Sequence, residues 1–172
     1  ACLTALLGFA PFILPLDAIA QTVPEPDLKA AIIANMLLFV EWPADNAPLP
    51  DHLTICHIEA NPVTEALGRL NGKSIKGKTL KVVRARPDNL NDCLAVYLPP
   101  GNIGTLNAVA AKAGSSAILL MGDSQEYLGQ GIMLNLELIS GRVVFDIDLR
   151  SAQRKGLKVS SKALRLARQV IE

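Results

Sequence analysis

The spacing of apolar residues changes period repeatedly along the chain, and each change marks a predicted element. Leu28, Ala31, Ile32, Met36, Phe39 and Val40 recur at helical spacing and predict a helix over 28–40. Pro24-Glu25-Pro26-Asp27 opens it and Glu41-Trp42-Pro43 stops it, because proline disfavours helix at the residue before it. Ile33, Leu37 and Leu38 carry the apolar surface most of the way round, which marks a central core helix or one partly covered by another chain. Alternating or β-branched runs at 53–58, 79–84, 94–98, 117–121, 132–138 and 143–149 predict strands, the last two joined through Ser140-Gly141 as a hairpin. Between them, Asn61-Pro62 starts a short helix ending near Leu70-Asn71-Gly72, and residues 103–113 form another stopped by Gly114. Residues 72–78 form a basic, glycine-punctuated loop. Two helices close the chain, one around Ala152 and one over Ser160–Ile171. Strands alternating with helices predict an α/β sandwich. Its sheet is expected to be mixed and mainly parallel, flanked by helices, with the hairpin as an antiparallel edge and a C-terminal helix.

Residues 1–20 follow a different pattern, apolar throughout apart from Thr4, Gly8, Asp17 and two prolines. Broken by Pro11 and Pro15, the run is too short for a bilayer that asks for about 20 apolar residues. It ends in Ala18-Ile19-Ala20, the small-x-small pattern of a signal-peptide cleavage site. No Met and no Lys or Arg precede it, so the charged opening of the signal is expected upstream of Ala1. The expectation is therefore a signal over 1–20, a single exported domain over 21–172, and a periplasmic address. No later segment is long and apolar enough to span a membrane. A formal net charge of +1 and 4% aromatic residues argue against a nucleic-acid binder, which neutralises phosphates and stacks on bases.

In an oxidising compartment the exported cysteines, Cys56 and Cys93, are expected to pair as a structural disulfide, with Cys2 left in the signal. A redox-sensing role is the sharper alternative, but nothing near either cysteine supplies the basic setting of a reactive thiol. His57 lies on the opposite strand face from Cys56, and no HExxH, CxxC, GxSxG or nucleotide-binding glycine loop occurs, so neither catalytic residues nor a metal or other cofactor is expected. Asp146 and Asp148 share a strand face, which suits acid/base work or, more simply, a solvent-facing surface. From Arg150 on, seven cations precede the lone acid Glu172. Lys158, Lys162, Arg165 and Arg168 are the candidate partner contacts, opposite an apolar face of Ala163, Leu164, Ala167, Val170 and Ile171. Such a face is either solvated or meets an acidic partner or anionic headgroups.

Two stretches carry a resemblance. Leu28-Lys29-Ala30-Ala31, Asn35, Phe39 and Trp42-Pro43 resemble the opening of the YfiR-like periplasmic proteins. Gly131-Ile132-Met133, the run from Arg142 through Phe145 to Leu149, and the run Gly156 to Ala167 with Ser160, Ser161, Leu164 and Leu166 are similar to that family's closing signature. Cys56 and Cys93 fall where members have a strand cysteine and its partner. The resemblance implies a non-enzymatic, homodimeric periplasmic repressor of an inner-membrane diguanylate cyclase. It would bind the periplasmic sensor domain of that receptor, or a similar envelope receptor, and so lower cyclic-di-GMP and biofilm formation. A second cysteine pair found in some members is absent, so any redox control runs through Cys56 and Cys93. The rival class is a periplasmic small-ligand binding protein, which predicts an apolar pocket with converging polar groups at the carboxyl ends of the parallel strands.

Overall fold

A computed structural model describes residues 23–43 and 51–172; the expected signal over 1–20 lies outside the described residues. The chain forms α1 (Glu25–Met36), β1 (Val40–Glu41), β2 (His52–His57), α2 (Pro62–Gly68), β3 (Ser74–Ile75), β4 (Lys78–Arg84), β5 (Ala95–Leu98) and α3 (Ile103–Ala113). It continues through β6 (Leu119–Gly122), β7 (Leu134–Ile139), β8 (Arg142–Asp148), α4 (Leu149–Arg154), β9 (Lys158–Val159), α5 (Ser161–Leu166) and β10 (Gln169–Ile171).

Eight strands form one sheet in the order β10-β8-β7-β6-β5-β2-β4-β3, with β7–β8 and β3–β4 antiparallel and the remaining pairs parallel. The expected α/β sandwich with a mixed, mainly parallel sheet is the observed architecture. Strand parity builds two cores. Leu53, Ile55, Ala95, Tyr97, Leu119 and Met121 point to the side covered by α1, α2, α4 and α5. Cys56, Val96, Leu98 and Leu120 point to the side covered by α3. Central strands buried on both faces explain why these runs are continuously apolar rather than alternating.

Helix starts follow local chemistry. Asn61 caps α2 through Thr64 N at 2.9 Å, Asn102 caps α3 through Thr105 N at 2.9 Å, and Asp148 caps α4 through Ser151 N at 2.8 Å. The β7–β8 hairpin turns at Ser140 and Gly141, both with positive φ, as Ser140-Gly141 had suggested.

Three expectations are corrected. The first helix ends at Met36, and Val40–Glu41 leaves it to pair with Lys158–Val159 as a small antiparallel ladder. Its buried face is Lys29, Ala30, Ile33, Ala34 and Met36, whereas Leu28 is 38% exposed. An almost all-round apolar helix gives periodicity little contrast with which to choose a face. The final helix stops at Leu166, and Gln169–Ile171 is a strand parallel to β8, so the hairpin is not the sheet's edge. Asp146 and Asp148 are buried, at 1% and 6% exposure, not solvent-facing.

Candidate functional site

Several residues of the two signature stretches meet around one groove. Asn35 and Phe39 at the end of α1 meet Phe145 of β8 and Leu166 of α5 around an apolar groove of about 180 Å³, completed by Ile32, Met36 and Ala163. The neighbouring signature residues hold its walls in place. Ser160 N donates to Phe39 O at 2.8 Å, and the Ser160 hydroxyl caps α5 through Ala163 N at 3.4 Å. Leu164 packs against the larger core, while Ser161 is exposed. Gly156 has φ +73, and a Cβ there would lie 3.0 Å from Pro43 Cγ, so a side chain would be strained and would crowd the half-buried Trp42-Pro43. Gly131, at φ +96, makes the turn before β7 and stands apart from this cluster. Leu166 is 63% exposed, the most exposed large hydrophobic residue described.

The four candidate contact cations separate. Lys162 Nζ sits 5.7 Å over the Phe39 ring, a cation–π contact on the groove's rim. Lys158 and Arg165 are exposed. Arg168 is committed internally: its Nε donates to Asp146 Oδ1 at 2.9 Å, Nη2 pairs with Asp146 Oδ2, and Nη1 lies 2.8 Å from Glu137 Oε2. That pairing holds the Arg168 guanidinium well above its ordinary value. Arg168 therefore ties β10 to the hairpin while its side chain stays 35% exposed.

The carboxyl ends of the parallel strands hold a second feature, an open cleft of about 500 Å³ lined by residues including Glu25, Pro26, Lys29, Pro62 and Asp123. Lys29 Nζ lies 2.6 Å from both Glu25 Oε1 and Asp123 Oδ1, with its side chain only 7% exposed. Burial disfavours the Lys29 charge, but hydrogen bonds to Asp123 and Glu25 outweigh it and hold the ammonium above the ordinary lysine range. The Tyr97 hydroxyl donates to Asp123 Oδ2 at 3.2 Å and accepts from Asn61 Nδ2 at 3.2 Å. Burial, then the Asp123 charge, pushes the Tyr97 phenol up. Sequence reasoning placed Lys29 in a motif but missed Asp123, Tyr97 and Asn61. The available signal was that Lys29 is the first cation in the sequence and the next is Arg69, so a charge stranded in an apolar helix needed a buried partner.

Cys56 and Cys93 are joined, with 5.7 Å between Cα atoms, inside the core on the α3 side. Asp146 and Asp148 serve structure, the first in the Arg168 pair and the second as the α4 cap, where its Oδ2 accepts from Ser151 Oγ at 2.7 Å. Among the described residues no cluster of three or more His, Cys, Asp or Glu side chains is placed to hold a metal ion. No described helix is long and apolar enough to cross a membrane.

The fold is an α/β sandwich with a small apolar groove between α1, β8 and α5. The chain belongs to the YfiR/HmsC-like family, whose model matches residues 26–168; the family is one of periplasmic regulatory proteins. No curated protein matches the sequence. Among solved structures, the fold is similar to an ABC domain from Streptococcus pneumoniae in complex with L-Trp, at 11% identity and a TM-score of 0.53. It is also similar to a conserved domain protein from Vibrio cholerae, at 12% identity and a TM-score of 0.55. Each likeness covers 85% of this chain and 60% of the other, so the chain spans less than two thirds of their length, and at these identities the likeness concerns the fold alone.

Proposed function

We propose that the protein is a periplasmic regulator that docks on the sensor domain of an inner-membrane diguanylate cyclase and holds that receptor inactive, lowering cyclic-di-GMP. Residues 1–20 would act as its cleaved export signal and 21–172 as one regulatory domain. The observation that carries the reading is the groove itself. Signature residues from opposite ends of the chain, Asn35 and Phe39 near the start and Leu166 near the end, line one apolar surface beside Lys162, with the exposed Arg165 next to Leu166 in sequence. Repression then needs only that the groove bind the inactive receptor more tightly than the active one. The work is binding rather than catalysis.

Leu166 tests it most directly. Burying a leucine side chain contributes about 1.5–3 kcal/mol, and 63% of Leu166 is still available to be buried by a partner. That leaves about 1–2 kcal/mol for association, on the order of tenfold in Kd. L166D is expected to fold normally, weaken binding to the receptor's isolated periplasmic domain by tenfold or more, and raise cellular cyclic-di-GMP. Unchanged affinity in L166D and R165E together would remove the docking surface. Sedimentation of the same variants decides whether the groove serves instead the homodimer that the family resemblance implies.

A second reading, a small-ligand binding domain, draws on the cleft at the strands' carboxyl ends, where Lys29, Asp123 and Tyr97 converge. It predicts ligand-dependent thermal stabilisation that D123N abolishes and L166D leaves intact.

A further inference from the structure

Seven Lys or Arg residues and no acid lie between Ala66 and Pro87. It is one of two acid-free basic stretches, the other being the run from Arg150 to Arg168, while the rest of the chain is net negative. Several of the seven have partners within the fold. Arg69 pairs with Asp27 at 2.6 Å, Arg86 pairs with Asp88 at 2.9 Å, and Arg84 Nε donates to Ile58 O at 3.2 Å. The four lysines of the stretch lie on or beside the β3–β4 hairpin, which ends the sheet. Lys73, Lys76 and Lys81 are exposed and join no ion pair among the described residues. Lys76 Nζ donates to Leu38 O at 3.0 Å, a neutral acceptor that leaves its charge uncompensated. Asp51 is the nearby acid, its carbonyl accepting from Thr79 N at 3.1 Å.

We propose that this lysine-bearing hairpin docks the protein on an anionic phospholipid surface. The array suits that occupant better than a shaped protein site. Lys73, Lys76 and Lys81, compact and flexible point charges, outnumber the one arginine of the stretch that joins no ion pair among the described residues, Arg84, whose fork would demand a matching carboxylate. They lie along an open sheet edge with no exposed large hydrophobic residue among them, so attraction is electrostatic and independent of any single geometry. The excess of cations along that edge, with no acid between Ala66 and Pro87, attracts a negative surface. Docked this way, the hairpin sets the groove close to the bilayer, because the residue after Leu38 is Phe39, which lines the groove.

The test is co-sedimentation of the purified chain with vesicles of phosphatidylglycerol and phosphatidylethanolamine, against phosphatidylcholine alone. The wild type is expected to pellet with the anionic vesicles only. Binding should fall by about tenfold or more in K73E/K81E, on the basis of the attraction of each surface lysine to anionic lipid, and similarly in about 0.5 M NaCl. K112E, at an exposed lysine of α3 away from the hairpin, should bind as the wild type does. K73Q/K81Q, which removes charge without reversing it, should fall in between and guards against a folding defect in the Glu variant. Three results overturn the proposal: no binding to anionic vesicles, equal binding to phosphatidylcholine, or unimpaired binding by K73E/K81E. If the wild type ignores vesicles while K73E/K81E self-associates, the lysines only guard an exposed edge strand. If the variants instead lose affinity for a receptor's soluble domain without lipid, the partner is an acidic protein face, and the lipid assignment fails. The vesicles contain no receptor, so the result is independent of groove docking.

Discussion

Arg165 and Arg168 are three residues apart and looked equivalent in sequence, yet their removal should have very different consequences. Arg165 is exposed and joins no ion pair among the described residues, so R165A is expected to change stability by no more than about 0.5 kcal/mol. Arg168 is the counter-charge of Asp146, whose side chain is 1% exposed, and of Glu137, at 19%. Removing one partner of a fully buried ion pair costs about 3–5 kcal/mol, because the other charge is left unpaired in a poor solvent. Arg168 itself is 35% exposed, so water can partly replace it, which lowers the expectation for R168A to about 2–4 kcal/mol. For a domain of this size each kcal/mol shifts Tm by about 2–4 °C, so R168A should melt roughly 5–15 °C below the wild type. Urea denaturation of R165A, R168A and R168A/D146L supplies the comparison, and the double variant should recover part of the loss by removing the orphaned carboxylate. If R168A lay within 1 kcal/mol of R165A, or the double variant were no better than R168A, the pair would not be what anchors β10.

Two further predictions concern the interior. C56A/C93A opens a crosslink of sequence separation 37 and should cost about 4 kcal/mol on the chain-entropy account, measured by denaturation of oxidised wild type against the variant; a loss below 1 kcal/mol would refute a structural role. Lys29 has its pKa raised in the folded state, so its contribution is fully present below the ordinary lysine value and is lost as pH rises through the folded one. Wild-type stability should therefore fall toward strongly alkaline pH more steeply than that of K29M, and parallel pH profiles would show that Lys29 is not held by Asp123 and Glu25.

The strands were legible because side-chain parity is local. The runs around Ile55, Val96 and Leu120 are apolar on both faces, and that pattern alone demands cover on both sides. The Cys56–Cys93 link was legible too, because few cysteines leave few pairings. The site was half legible. Phe39, Phe145 and Leu166 were singled out from separate stretches, but nothing local shows that they meet around one groove.

What the sequence determined by itself, then, is the alternation of strands and helices, the two-sided core and the pairing of its cysteines, since each follows from residue types within a few positions. Tertiary structure alone decided the rest. Gln169–Ile171 follows a helix with no Pro or Gly to stop it, and it becomes a strand because β8 offers an open edge and Arg168 N reaches Phe145 O at 2.8 Å. Asp146 and Asp148 look like surface acids until Arg168 and the start of α4 cover them. Lys29 looks like a solvated lysine until Asp123, 94 residues away, closes over it. A charge can be buried only where a partner from elsewhere in the chain arrives, and only the folded chain brings that partner.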